Sequence, residues 1–201
     1  MTAAIAVRQD LEQGPMTVDE FLKWPGDGTG RRYELVHGVL RMQNPASDAH
    51  GTIQSRLNQL IANHLERTRP HCRIVANPGI APRLRTHWNY REPELGVTCT
   101  PNRPDVHMLP DPILLIEVLS PSNADNTWSN IALYATVPSV AEILIVESTK
   151  VGAELLRRLP DGNWPHQPEA IGPGGVIDLA TLDLDIPLAE VYRDTYLAEL
   201  T

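Results

Sequence analysis

At 201 residues and a formal net charge of -8, the chain is long enough to bury one full hydrophobic core. It is too acidic to present a broad basic face to nucleic acid, although a local groove lined by arginines stays open. Lys23 and Lys150 are its only lysines, so any chemistry that needs a catalytic lysine has just these candidates.

Residues 1 to 15 are expected to form a loose tail. Thr17-Val18-Asp19-Glu20 is a capping-box pattern that opens a short helix through Phe21 and Leu22, and Pro25-Gly26 ends it. Residues 32 to 42 predict a β-hairpin turning at His37-Gly38, with Glu34 on its first strand. Between Ser47 and Thr68 the apolar residues Ile53, Leu57, Leu60, Ile61 and Leu65 recur at spacings of three and four, the stripe of a long helix with His50 in its first turn. Residues 72 to 76 and 80 to 84 predict short extended pieces either side of Asn77-Pro78-Gly79.

A run from Pro93 to Cys99 follows, headed by Glu94 directly after the proline, a residue suited to the start of a strand. Beyond a proline-rich loop that contains Pro104-Asp105, the run Ile113 to Leu119 is apolar throughout except for Glu117. Asn123 or Asp125 can cap the next helix, whose apolar positions are Trp128, Ile131, Tyr134 and Ala135; Val140 to Val146 then predicts another buried strand. Strand, helix, strand in that order implies a right-handed parallel crossover and therefore a mixed sheet. Asp161-Gly162, Gly172 to Gly175 and the alternation Leu182 to Ile186 predict a small antiparallel annex before a closing helix at Leu188 to Tyr192.

The residues that bear on chemistry are acidic. A lone glutamate in an apolar strand is costly to bury unless its charge is compensated, and a hard divalent cation shared between Glu117 and Glu94 would do so. An ion-paired or edge-exposed glutamate is the alternative, and both stand at this point. His50 fits either a metal ligand or general base, or a helix-terminal histidine packed beside Ile53. Glu34, flanked by Arg31 and Arg32, fits a third acid or a salt-bridged surface residue. Arg83, Arg85 and Arg91, near His87, Trp88 and Tyr90, fit a DNA groove or a solvated hairpin tip. Cys72 and Cys99 form no CxxC pair and no secretory leader is evident, so they are expected to be reduced, small and buried. The N-terminus lacks a long apolar stretch and no segment reaches membrane-spanning length, which predicts a soluble, cytoplasmic protein. No GxSxG, Walker, HExxH or strand-borne GxGxxG pattern occurs.

Arg32-Tyr33-Glu34-Leu35-Val36 with Gly38, His50, Pro93-Glu94-Leu95-Gly96-Val97, Glu117-Val118-Leu119-Ser120-Pro121-Ser122, and Ile131-Ala132-Leu133-Tyr134 before Val137-Pro138-Ser139-Val140 occur in that order. Over roughly residues 17 to 147 this series resembles the bacterial putative restriction endonuclease family of the PD-(D/E)XK nuclease superfamily. The resemblance implies an α/β, restriction-endonuclease-like fold. Its mixed twisted sheet would carry the long helix on one face and the crossover helix on the other, in a single domain whose residues 151 to 201 supply the annex. It also implies a Mg²⁺- or Mn²⁺-dependent DNA endonuclease. Glu94 would stand for the Asp of the Pro-Asp motif and Glu117 for the acid of the second, both as metal ligands, with His50 and Glu34 assisting. This chain departs from the pattern at the lysine: Leu119 occupies the motif position and Asn130 the helix position where the family usually carries a substitute.

The expectation is metal-dependent hydrolysis of double-stranded DNA by a homodimer, with Glu94, Glu117, His50, Glu34 and Asn130 at the site. The rival is a nuclease fold that has lost catalysis and serves as a DNA-binding or assembly module. A small-molecule-binding protein on this scaffold is a third option, and it predicts a deep apolar pocket away from the acids.

Overall fold

The structure, a computed structural model, describes residues 14–120 and 124–201, with 124–126 as backbone only. Residues 1 to 13 of the expected tail and Asn123, one of the two expected caps, lie outside what is described; the crossover helix begins at Ala124, so Asp125, the other expected cap, falls within the helix. Pro15 and Met16 are not loose: the Met16 N–H donates to the Gly38 carbonyl at 2.9 Å, and a Cβ on Gly38 would stand 2.3 Å from that of Pro15.

Helix α1 (Val18–Lys23) carries the expected capping box, with Thr17 and Glu20 reciprocally bonded. Strands β1 (Tyr33–Val36) and β2 (Val39–Met42) form an antiparallel hairpin. His37 and Gly38 both adopt positive φ, at 52° and 80°, as a two-residue primed turn requires. Helix α2 (Asp48–Thr68) is capped by Ser47, whose hydroxyl accepts from the His50 N–H.

Strands β3 (Arg73–Ala76), β4 (Leu95–Thr98), β5 (Pro112–Leu119), β6 (Glu142–Glu147), β7 (Ala153–Arg157) and β8 (Glu169–Ile171) lie side by side in chain order as one sheet. Only β5 and β6 pair in parallel, bridged by α3 (Ala124–Tyr134); the other neighbours are antiparallel. The sheet is therefore mixed, as expected.

Alternation along β5 divides the core between two faces. Leu114, Ile116 and Val118 pack with Ile53, Leu57 and Ile61 of α2, whereas Leu115 packs with Ile131 and Tyr134 of α3. Trp128, expected among the apolar positions of α3, is 41% exposed.

Two further expectations need correcting. Residues 80 to 84 form no strand: Ile80 makes a single bridge to Arg91 before the chain turns through a 3₁₀ segment at Thr86–Trp88. The C-terminal annex is smaller than expected, because β7 and β8 extend the main sheet. The separate piece is the β9 (Val176–Leu179) and β10 (Leu184–Pro187) hairpin, followed by α4 (Leu188–Tyr192), which packs on the α2 side. Short strands with turn signals look alike in sequence whether they pair among themselves or add to a sheet edge.

Cys72 and Cys99 are joined by a disulfide, not reduced. Arg73 pairs with Thr98 across β3 and β4, so one more step of that antiparallel register sets the cysteines opposite each other. A separation of 27 residues gives no hint of this in the sequence.

A candidate active site at the heads of the two central strands

Antiparallel pairing sets Leu95 opposite Ile116, and continuing by one residue sets Glu94 opposite Glu117. Glu117 shares the parity of Leu115, so its side chain rises on the α3 face, where the Tyr134 hydroxyl donates to its Oε1 at 2.8 Å. Glu94 is approached from α2: His50 Nε2 lies 3.0 Å from its Oε1, and Gln54 donates to its backbone carbonyl at 3.0 Å. A cavity of about 650 Å³ opens over this junction, lined by the acids Glu34, Glu92, Glu94 and Glu117 together with His50 and Asn130. The structure thus brings all five residues singled out from the sequence to one cavity.

Glu34 is not the surface residue that its arginine neighbours suggested. It is 5% exposed and accepts from the Glu92 backbone N–H at 2.9 Å and from Asn130 Nδ2 at 3.4 Å. Burial pushes its carboxyl above the ordinary range, against the opposing pull of the Glu92 N–H and the positive charges of Arg91 and Arg41.

Glu117 is equally enclosed, at 5% exposed, and its carboxyl is raised well above the ordinary range. Burial is the main cause and the negative charge of Glu34 the next; Glu94 adds to it, and the hydrogen bonds from Tyr134 and Asn130 only partly offset them. The Tyr134 phenol is also pushed up, first by burial and then by Glu117 and Glu34. The centre is a group of acids whose like charges oppose one another, with Glu34 and Glu117 buried.

Two buried polar atoms here have no hydrogen-bond partner among the described residues: His50 Nδ1 and Asn130 Oδ1. Each is costly to leave so in a finished core. In the neutral tautomer that donates from Nε2 to Glu94, His50 Nδ1 is an unused acceptor.

Sequence reasoning missed several residues that the fold delivers. Glu92 lines the cavity, and burial raises its carboxyl too; it sits two residues before Glu94, the spacing that returns a side chain to the same side of an extended segment. Tyr134 lies one helical turn beyond Asn130, the spacing that lets both side chains reach Glu117.

Among the described residues, the cations at the cavity are Arg31, Arg32 and Arg41, not Arg83, Arg85 and Arg91. Arg83 and Arg85 are exposed elsewhere, while Arg91 is wholly buried and donates to the Leu35 carbonyl at 3.0 Å and to Asn89. Arg32 bonds Gln43 at 2.5 Å and lies 3.9 Å from Glu92. Neither lysine lines the cavity; Lys150 pairs with Glu147 at 3.3 Å on the surface. Asp105, the acid of the Pro104-Asp105 pair, is exposed and away from the cavity.

Residues 18–189 match the model of the Uma2 family, described as putative restriction endonuclease. An uncharacterised protein of Synechocystis sp. (strain ATCC 27184 / PCC 6803 / Kazusa) is 31% identical over 151 residues, covering 74% of this chain and 77% of its own. The crystal structure of a putative nuclease belonging to DUF820, from Anabaena variabilis ATCC 29413, superposes with a TM-score of 0.69 at 18% identity. It covers 89% of this chain and 98% of that one, a likeness that speaks to the fold. The chain belongs to the Uma2 putative restriction endonuclease family.

Proposed function

Taking that membership as the premise, we propose that the chain is a metal-dependent endonuclease that hydrolyses phosphodiester bonds of double-stranded DNA. The observation that carries this reading is the setting of Glu117: buried, facing the like charges of Glu34 and Glu94, with a single neutral hydroxyl and an amide in compensation. A divalent cation fits that setting, since the donors are carboxylate oxygens of the kind that Mg²⁺ and Mn²⁺ prefer. Glu94 and Glu117 would hold it, with the Val118 carbonyl as a further oxygen and His50 alongside. When bound, such a cation supplies positive charge against the phosphoryl oxygens and makes neighbouring water more acidic.

The chain's own groups have separate tasks. His50 fixes the Glu94 carboxylate through its Nε2, and Tyr134 fixes that of Glu117. Asn130 Oδ1 can accept a hydrogen bond from a water and so hold it in place. Arg31, Arg32 and Arg41 bind backbone phosphates at the cavity and position the strand. Glu34 keeps a proton to higher pH than an ordinary carboxylic acid and can give or take it at the site. Asn130 hydrogen-bonds but carries no charge, so a rate loss on the order of a hundredfold against a lysine-bearing site is expected. A duplex has two strands to cut, which favours a two-fold homodimer.

A second reading rests on the same substitution: with Asn130 at the lysine position and no lysine lining the cavity, the fold could bind DNA or a partner protein without cutting. Nicking of supercoiled plasmid in Mg²⁺ and in Mn²⁺ separates the two. Cleavage that requires metal and disappears in Glu94→Ala and in Glu117→Ala supports the endonuclease. Absence of cleavage, or equal cleavage by all three proteins, moves the conclusion to a binding module.

A further inference from the structure

A second group of metal-compatible side chains lies where α2 hands over to β3, and none of its members lines the acidic cavity. Cys72 precedes β3 and Cys99 follows β4, with their Cα atoms 3.9 Å apart. His71 stands exposed in the preceding turn, and its ring nitrogen and both sulfurs lie within 4.8 Å of one another. β3 is the edge strand of the sheet, so the group opens to solvent through His71 while Cys72 is sheltered.

These donors differ in kind from those of the cavity. Two thiolates and an imidazole are a soft set that suits Zn²⁺, whereas carboxylates suit Mg²⁺ or Mn²⁺. In the disulfide neither sulfur is a thiolate, so the chain in that state offers only the histidine. Reduction by an external dithiol or phosphine delivers two electrons and two protons, breaks the S–S bond and leaves two thiols, which lose those protons on meeting a cation.

Tetrahedral bonds of about 2.3 Å to zinc place two sulfurs roughly 3.8 Å apart. With their Cα atoms 3.9 Å apart on facing strands, the two cysteines reach this spacing by side-chain rotation. The third donor comes from the residue next to Cys72, so no further stretch of chain has to be ordered to complete the set.

We propose that the reduced chain binds one thiophilic divalent cation of the Zn²⁺ class through Cys72 Sγ, Cys99 Sγ and a His71 ring nitrogen, with the fourth position open to water. Oxidation of the thiols to the disulfide and cation binding exclude each other. The edge of the sheet is thus closed either by a covalent bond or by a metal.

Co²⁺ titration of the intact chain tests this, because thiolate-to-cobalt charge transfer absorbs in the near ultraviolet and the oxygen donors of the cavity give no such band. Reduced protein freed of reductant under nitrogen should develop the band to saturation at about one Co²⁺ per chain, and Zn²⁺ should erase it. The oxidised wild type should show none, a control that needs no substitution. Cys99→Ser should abolish the band, and His71→Gln should weaken binding by at least the roughly tenfold that even outer-shell losses cost. A reduced protein without the band, or a band that persists in oxidised protein or in Cys99→Ser, overturns the site. Unchanged affinity in His71→Gln overturns the three-donor set.

Discussion

Glu117 and Glu142 are both buried glutamates on neighbouring central strands, β5 and β6, and their surroundings could hardly differ more. Glu142 is fully buried and every side of its carboxylate is occupied. Arg157 Nε donates at 2.8 Å, the Ala180 and Thr181 backbone N–H groups at 3.2 and 3.1 Å, and the Thr181 hydroxyl completes the set. It ties β6 to β7 and to the turn after β9, a structural role. Glu117 has Tyr134 and Asn130 beside it and faces two other acids. A carboxylate within an apolar strand is thus not in itself a site; what decides is whether the fold has already compensated its charge.

The substitutions that break this contrast most sharply remove one acid at a time. Glu142→Ala should cost about 3 kcal/mol of stability, read by chemical denaturation, since it leaves a guanidinium and two backbone donors short of partners. Glu117→Ala relieves repulsion at the cavity but leaves the Tyr134 hydroxyl without its acceptor, so the metal-free protein should lose no more than about 1 kcal/mol, well short of Glu142→Ala, while plasmid cleavage falls on the order of a hundredfold or more. Matching stability losses in the two variants would erase the distinction.

Asn130→Lys sharpens the contrast from the other side. It returns a positive charge beside Glu34 and Glu117, and cleavage in Mn²⁺ should rise by about tenfold or more. An unchanged or lower rate would mean that the missing lysine is not what limits this chain.

Much of this could be read from the chain before folding, and the limits have physical causes. Glu117 announced itself because one charge interrupts an apolar run, and Glu94 because it heads the paired run after a proline. Glu142 sits in a similar run, yet its role was invisible, because Arg157 and Thr181 meet it only through strand pairing and a distant turn. The same holds for Arg31, Arg32 and Arg41 at the cavity, for Glu92 beside Glu34, and for the facing of Cys72 and Cys99. Periodicity reports which face a residue occupies; it does not report what another element brings to that face. The six-strand order of the sheet was likewise only partly legible, since β7 and β8 read equally well as a separate annex.

Tyr134→Phe is a smaller probe of the same site. It removes the hydroxyl that fixes Glu117 and should lower metal-free stability by about 1 kcal/mol, with a loss of cleavage well short of that in Glu117→Ala. Equal losses in the two variants would place the chemistry on the tyrosine.

The pH dependence of stability supplies the gentlest test. Glu117 and Glu34 hold their protons more tightly folded than unfolded. Their contribution is therefore complete below the unfolded carboxylate pKa of about 4.3 and is lost as pH rises through the folded values. Without metal, the melting temperature should fall as pH climbs from that point towards neutrality. The gain from added Mn²⁺ should grow over the same window, because the cation requires the ionised carboxylates. Glu117→Gln should flatten both trends.

Anomalous diffraction from crystals soaked in Mn²⁺ addresses the central claim most directly. A manganese peak in contact with the carboxylates of Glu94 and Glu117, and none beside Glu142, is the predicted result. An empty cavity at a concentration that supports cleavage, or a peak elsewhere with these acids untouched, would contradict it.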